Sequence, residues 1–260
     1  MNLRADSRPL VIGHRGAAAL EPENTLRSLQ RAVDLGCDLV EFDVLDLRDG
    51  TLVLAHSDDL LEVSHGAADG AVQSLDLGEL REVAPELPTF DEALELLGAT
   101  GAGLQVDVKW RGYEDATVEA IRRHGLVERT VVSTVLADSL CRFAALEPRL
   151  ARGFTYPFDR HRLSQRRLLG PVASTLLAGL RRSLPQRLEG LLERAQAQAA
   201  VLHHSVVTAA AVERAHALGA AVLTWTVDDL TDLGRVLDAG VDGVITNDPR
   251  IVGRGLHSRS

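Results

Sequence analysis

The sequence predicts an α/β fold: a closed (β/α)8 barrel with a β-hairpin after the second strand and a small insertion. Three observations carry this. Short β-branched runs alternate with amphipathic helical patterns along most of the 260 residues, the rhythm of parallel strands joined by crossover helices. Eight such runs are present in a chain of ordinary length for a barrel,. No GxGxxG turn follows the first run, which weighs against a doubly wound open sheet.

The strands expected are Leu10–Gly13, Leu39–Val44, Leu104–Val108, Thr130–Thr134, Ala151–Phe154, Ala200–Leu202, Ala221–Thr226 and Asp242–Thr246. The helices between them run over Thr25–Leu35, Asp91–Leu97, Asp115–His124, Asp138–Leu146, Ala209–Leu218 and Leu230–Ala239. Several open on a Thr or Asp cap, and several should stop at a glycine: Gly36, Gly98, Gly125, Gly219 or Gly240,. A ninth extended run, Leu52–His56, follows Asp49-Gly50, a strong hairpin signal,. A two-residue loop there pairs Arg48 with Thr51 and sets Asp43 opposite His56; a bulge would move the register by one residue,.

Two stretches break the rhythm of what is otherwise one barrel domain over 1–260. Residues 57–88 are polar and turn-rich and read as an insertion beside the barrel mouth. Residues 155–199 form a long, basic, Leu-rich connection, with eight arginines against Glu189 and Glu193 in 160–194. One reading is a barrel helix behind an extended loop. The other is a lid or interfacial helix over 168–180 that attracts anionic lipid at a membrane surface, or the phosphorylated substrate.

Composition narrows the function. A net charge of −9 argues against a nucleic-acid partner, since such proteins carry a basic surplus. Cys37 and Cys141 form no framework, which fits a reducing compartment. The first apolar run, from Leu10 to Gly13, is too short for a signal core or a span,. A cytoplasmic enzyme is the expectation. Among 28 Lys and Arg there is a single lysine, Lys109, and it stands in an apolar strand, where an ammonium needs a carboxylate partner or an anionic ligand.

Chemistry gathers on the strands. Glu41 and Asp43 are two apart and share a face, while Val40, Phe42 and Val44 take the other. Two inward carboxylates repel unless a cation offsets them. Asp107 and Lys109 repeat the spacing two strands on, completing an oxygen-rich set suited to Mg²⁺ or Ca²⁺ and placing an ammonium towards a phosphate. His14 and Arg15 follow the first strand at the end where barrel enzymes keep their catalytic groups,. His56 returns by the hairpin. Two imidazoles beside a cation and an Arg/Lys pair supply an acid and a base for displacement at phosphorus, with a small-molecule phosphodiester as substrate. A sugar isomerase or lyase would explain the carboxylates but not Arg15 and Lys109, and a non-catalytic lipid-binding module would not need both histidines.

HRGaaalePENT at 14–25, EFD at 41–43, DGTLVLAH at 49–56, VDVK at 106–109, WTV at 225–227 and GVDGVITNDP at 240–249 together resemble the signature set of the glycerophosphodiester phosphodiesterase family. The resemblance implies release of sn-glycerol 3-phosphate and an alcohol, with His14 and His56 as acid and base. It further implies that Glu41 and Asp43 bind a divalent metal, that Arg15 and Lys109 hold the phosphate, that Glu23 supports the metal site, and that Trp225 lines the alcohol side. Two departures stand out: Asp107 occupies a place where that family has Glu, and His56 is followed by Ser57 where it has Asp. The first is similar to sphingomyelinase D type enzymes, which, with lysophospholipase D, form the alternative reading.

Overall fold

Eight parallel strands close into a ring in this computed structural model, which describes residues 1–4, 7–157 and 170–257. In chain order the elements are β1 (Leu10–Gly13), α1 (Leu26–Asp34), β2 (Leu39–Asp46), β3 (Leu52–Leu54), α2 (Leu60–Val63), α3 (Leu77–Val83) and α4 (Phe90–Gly98). There follow β4 (Gly103–Val108), α5 (Glu114–Arg123), β5 (Thr130–Thr134), α6 (Ala137–Leu146), β6 (Ala151–Tyr156) and α7 (Gly170–Ala195). The last are β7 (Ala199–His203), α8 (Ala209–Ala217), β8 (Ala221–Trp225), α9 (Leu230–Asp238), β9 (Gly243–Thr246) and α10 (Arg250–His257). The ring runs β1-β9-β8-β7-β6-β5-β4-β2 and closes because β2 also pairs with β1.

The predicted (β/α)8 barrel is therefore what forms, and β2 shows how the extra hairpin fits. Its start, Leu39 and Val40, pairs with β1 in the ring. Its end, Val44 to Asp46, pairs antiparallel with β3 outside the ring. The hairpin register differs from the two-residue expectation by one. Val44 lies opposite Leu54, and Leu47 N–H donates to Thr51 O at 2.8 Å, so the loop is Arg48-Asp49-Gly50. Gly50 takes φ +82°, the left-handed position that a three-residue hairpin reserves for glycine. Asp43 O consequently accepts from Ala55 N–H at 3.2 Å, and His56 sits one residue beyond that level.

Period-two alternation splits the strands between two environments. Val40, Phe42, Val44, Val106 and Val108 pack under α1, α4 and α5 in the outer core, as the spacing predicts. Leu10, Ile12, Leu39, Val131, Val201, Leu223 and Ile245 fill the interior, with Leu3 beneath them. Residues 57–88 carry α2 and α3 and have a small core of their own, in which Leu60, Val72 and Leu80 cover Leu45 and Val53 of the hairpin.

The helix ends follow their caps. Thr25, Thr89, Thr208 and Asp229 each accept from a backbone N–H of the first turn,. Gly36, Gly125, Gly219 and Gly240 all have positive φ just past a helix. Gly98 does not: it is the last residue of α4, and Ala99 is the cap. In the basic connection, Leu184, Leu188, Leu191, Leu192 and Ala195 of α7 are buried in the core with α8, so this part is a barrel helix. The expectation of an interfacial segment over 168–180 falls mostly outside the described side chains. No described helix is long and apolar enough to cross a membrane.

Candidate functional site

Most of the predicted residues gather at the carboxyl ends of β1, β2 and β4, where His56 follows β3, while Trp225 stands apart at the end of β8. After β1 the chain turns at once. Arg15 takes φ +49° and Gly16 +86°. A Cβ on Gly16 would lie 2.4 Å from the Ser28 backbone, so α1 closes tightly on the turn. Ser28 Oγ donates to Arg15 O at 2.8 Å and accepts from Ala17 N–H at 2.9 Å, while Gly16 N–H donates to Glu41 O at 3.0 Å. The turn is thereby pinned to α1 and β2, and Arg15 N–H donates to the Glu41 carboxylate at 2.8 Å.

Register does the same for the acids. β2 and β4 pair so that Asp43 stands beside Asp107. Glu41, Asp43 and Asp107 each offer an oxygen within 4.8 Å of the others'. Lys109 Nζ lies 2.5 Å from Asp43 Oδ1 and 2.6 Å from Asp107 Oδ2. The Arg15 guanidinium is bidentate with Glu23 from Nη1 at 2.7 Å. Its Nε is buried 3.1 Å from Asp43 Oδ2 but not aligned as a hydrogen bond. The carboxyl end of β4 is fixed by Tyr113, whose hydroxyl donates to Val44 O at 2.7 Å and accepts from the N–H groups of Lys109 and Trp110 at 3.0 and 3.1 Å.

Both histidines reach the mouth. His14 Nδ1 is 2.7 Å from Asn247 Oδ1, and Asn247 Nδ2 donates to Asp228 at 2.6 Å. A carboxylate only accepts, so Asp228 fixes the amide with its oxygen towards His14. Nδ1 of His14 therefore carries the proton, and Nε2, 4.0 Å from Glu41, is the basic nitrogen. His56 Nδ1 is buried without a hydrogen-bond partner and stands 3.7 Å from Glu62 of α2. Trp225, at the end of β8, packs its ring edge-on to His203 with centroids 5.1 Å apart.

The charges are strongly interdependent. Burial, followed by the negative charges of Asp43 and Asp107, pushes the Glu41 carboxyl well above its ordinary value. Burial would raise Asp43 too, but Lys109 and Arg15 outweigh it and hold that carboxyl well below the usual range. Burial opposes the Lys109 ammonium, yet Asp107, Asp43 and Glu41 keep it above its ordinary value. Burial and the neighbouring Arg15 push His14 down to about 3, and burial lowers His56. Glu41 is thus a buried carboxyl whose ionised form a further cation would favour. With three carboxylates and no softer donor, the set fits a hard divalent ion,.

Several participants were not singled out from the sequence. Asn24 takes φ +57° and clasps Asp43, with Nδ2 donating to its carboxylate at 2.9 Å and Oδ1 accepting its N–H at 3.1 Å. Ser133 Oγ donates to Asp107 at 2.7 Å. Asn24 and Asn247 were visible inside the PENT and TNDP strings. Ser133, Tyr113 and Asp228 carry no local signal, because their partners Asp107, Val44 and Asn247 are distant in sequence; Glu62 meets His56 only through the turn into α2.

Residues 14–251 match the glycerophosphoryl diester phosphodiesterase family. The chain belongs to that family. It is by class an enzyme, a phosphodiester hydrolase. A glycerophosphodiester phosphodiesterase of Caldanaerobacter subterraneus subsp. tengcongensis is 28% identical over 258 residues, which cover 93% of this chain and 95% of the relative. One from Bacillus subtilis is 24% identical over 279 residues, 95% of this chain and 86% of the relative. Among solved structures, a phosphodiesterase of Oleispira antarctica in complex with the product sn-glycerol-3-phosphate is 27% identical. It superposes with a TM-score of 0.75 over 96% of this chain and 97% of that one. The family resemblance read from the motifs is thus borne out.

Proposed function

We propose that this chain, acting as one barrel domain, hydrolyses glycerophosphodiesters to sn-glycerol 3-phosphate and an alcohol, with a divalent metal and two histidines. The observation that carries the reading is the convergence of Glu41, Asp43 and Asp107 within 4.8 Å, beside Arg15 and Lys109 and with His14 Nε2 4.0 Å from Glu41. Family membership and the product bound to the Oleispira relative support the same chemistry.

The three carboxylates would hold Mg²⁺ or Ca²⁺, which when bound would neutralise charge on the non-bridging phosphate oxygens. Arg15 and Lys109 offer the phosphate its cationic contacts, and Glu23 orients Arg15 through the bidentate pair,. His14 Nε2, unprotonated at rest, takes the proton from the attacking oxygen, which belongs to water, or to the glycerol 2-hydroxyl, in which case a water then opens the resulting cyclic phosphate to give sn-glycerol 3-phosphate. As the attacking oxygen bonds to phosphorus, His56 gives a proton to the departing alcohol oxygen and the second P–O bond breaks. Trp225 lines the alcohol side. On its isolated cysteines the chain is assigned to a reducing, cytoplasmic compartment; contact of 160–194 with anionic lipid is a second reading, resting on the basic charge of that stretch alone,.

Substitution of either histidine by alanine should lower kcat by about 10²–10⁴-fold while circular dichroism stays unchanged. An aryl ester of glycerol 3-phosphate, whose leaving group needs no proton, should restore His56→Ala but not His14→Ala. Equal restoration of both, or turnover close to the parent's in both variants, would overturn the assignment.

A further inference from the structure

The two imidazoles are supported unequally. His14 has a complete relay through Asn247 to Asp228. His56 Nδ1 is buried and makes no hydrogen bond. Among the described residues, Asp58 and Asp59, which follow His56 in the chain, make no ion pair with it: Asp58 accepts from Gln73 N–H at 2.8 Å, and Asp59 caps α2 by accepting from Leu61 N–H at 3.0 Å. Among the described residues, the carboxylate within ion-pair distance of His56 Nδ1 is Glu62, at 3.7 Å.

We infer that Glu62, on the first turn of the insertion, is the positioning residue for His56. It accepts a hydrogen bond from Nδ1–H of the His56 imidazolium and leaves the Nε2 proton as the one given to the leaving alcohol, after which the ring is neutral with its proton on Nδ1. The inference rests on the assignment of His56 as the proton donor. Glu62 and His56 line one cleft together with Glu23, His65 and Glu86. Closing 3.7 Å to hydrogen-bond length takes less than 1 Å of side-chain movement, and bonds of this kind commonly tighten only when substrate is bound. Asp59 sets the direction of the short helix, so the six-residue reach from His56 to Glu62 is built by the insertion and not by the barrel. A buried imidazole with no acceptor at Nδ1 can donate through either nitrogen; a carboxylate there selects one.

The test compares two glycerol 3-phosphate diesters, one with an aliphatic alcohol and one with an aryl leaving group. On the aliphatic diester, Glu62→Ala should lower kcat by about 10- to 100-fold with KM altered less than about two-fold. On the aryl diester it should match the parent within about two-fold. Equal losses on both substrates would mark Glu62 as structural, a change in KM alone would mark it as a binding residue, and no loss on either would remove its role; each overturns the inference. His56→Ala, measured on the same pair, separates the two failures. If it loses equally on both diesters, the proton-donor assignment falls. If it shows the leaving-group difference and Glu62→Ala does not, only the role of Glu62 falls.

Discussion

Glu41 concentrates the electrostatics of the site in one side chain. In the unfolded chain its carboxyl ionises near 4.5, whereas burial and the charges of Asp43 and Asp107 hold the folded group well above that value. Above about pH 4.5 the folded state therefore binds the extra proton, and Glu41 makes stability fall as pH rises. The imidazoles act in the opposite sense: His14, at about 3, and His56, also lowered, add stability as pH rises towards 6.5. Glu41→Gln isolates the carboxyl, because it mimics the protonated form. In chelator, its Tm should exceed that of the parent by a margin that grows from about pH 5 to about pH 8, at about 2–4 °C per kcal/mol. Mg²⁺ or Ca²⁺ should raise the Tm of the parent and leave that of the variant unmoved. A thermal-shift series in which the variant is no more stable at the higher pH would show that the buried carboxylate is already satisfied.

At the scale of elements, the site depends on β2 and β4 holding register at their carboxyl ends, where ladder pairing stops. Tyr113 supplies the tie from the start of α5, joining Val44 O to the N–H groups of Lys109 and Trp110. Tyr113→Phe removes the donor and the acceptor from a side chain that is 4% exposed. It should cost about 1–3 kcal/mol of stability. The same change should lower kcat, since Lys109 is then less well held between Asp43 and Asp107. Unfolding in denaturant together with steady-state kinetics checks both; loss of stability with unchanged kcat would mean that β4 is aligned without this tie. The hairpin poses a related problem. Three loop residues in place of two moved Ala55 to the level of Asp43, yet the longer turn still delivers His56 to the mouth.

For the whole molecule, the barrel separates stability from chemistry along its axis. Leu3, 5% exposed, plugs the amino end of the interior against Leu39, Val131 and Ile245, while every candidate catalytic group lies at the other end. Leu3→Ala should cost about 2–3 kcal/mol through the cavity it leaves. It should leave kcat and KM unaltered, as expected for a barrel whose amino face serves stability. Denaturant unfolding and kinetics on the same preparation test the separation, and a fall in kcat at a temperature where the variant is fully folded would show the two ends to be coupled.

The amino-acid sequence by itself determined the barrel, because strand and helix periods are local and repeat eight times. It also determined which side chains share a face, since Glu41 with Asp43 and Asp107 with Lys109 follow from a period of two. Glycine stops were legible where the backbone turns left-handed, and missed at Gly98, where a helix simply continues through the residue. Tertiary structure decided the rest. The meeting of Asp43 with Asp107 needs the pairing of β2 with β4, and the tautomer of His14 needs Asn247 and Asp228 from the far end of the chain. The acceptor facing His56 comes from the fold of the insertion. The first two are contacts between distant parts of the chain, which only chain closure brings within hydrogen-bonding or ion-pair reach; the last is short in sequence and depends on how the insertion turns into α2.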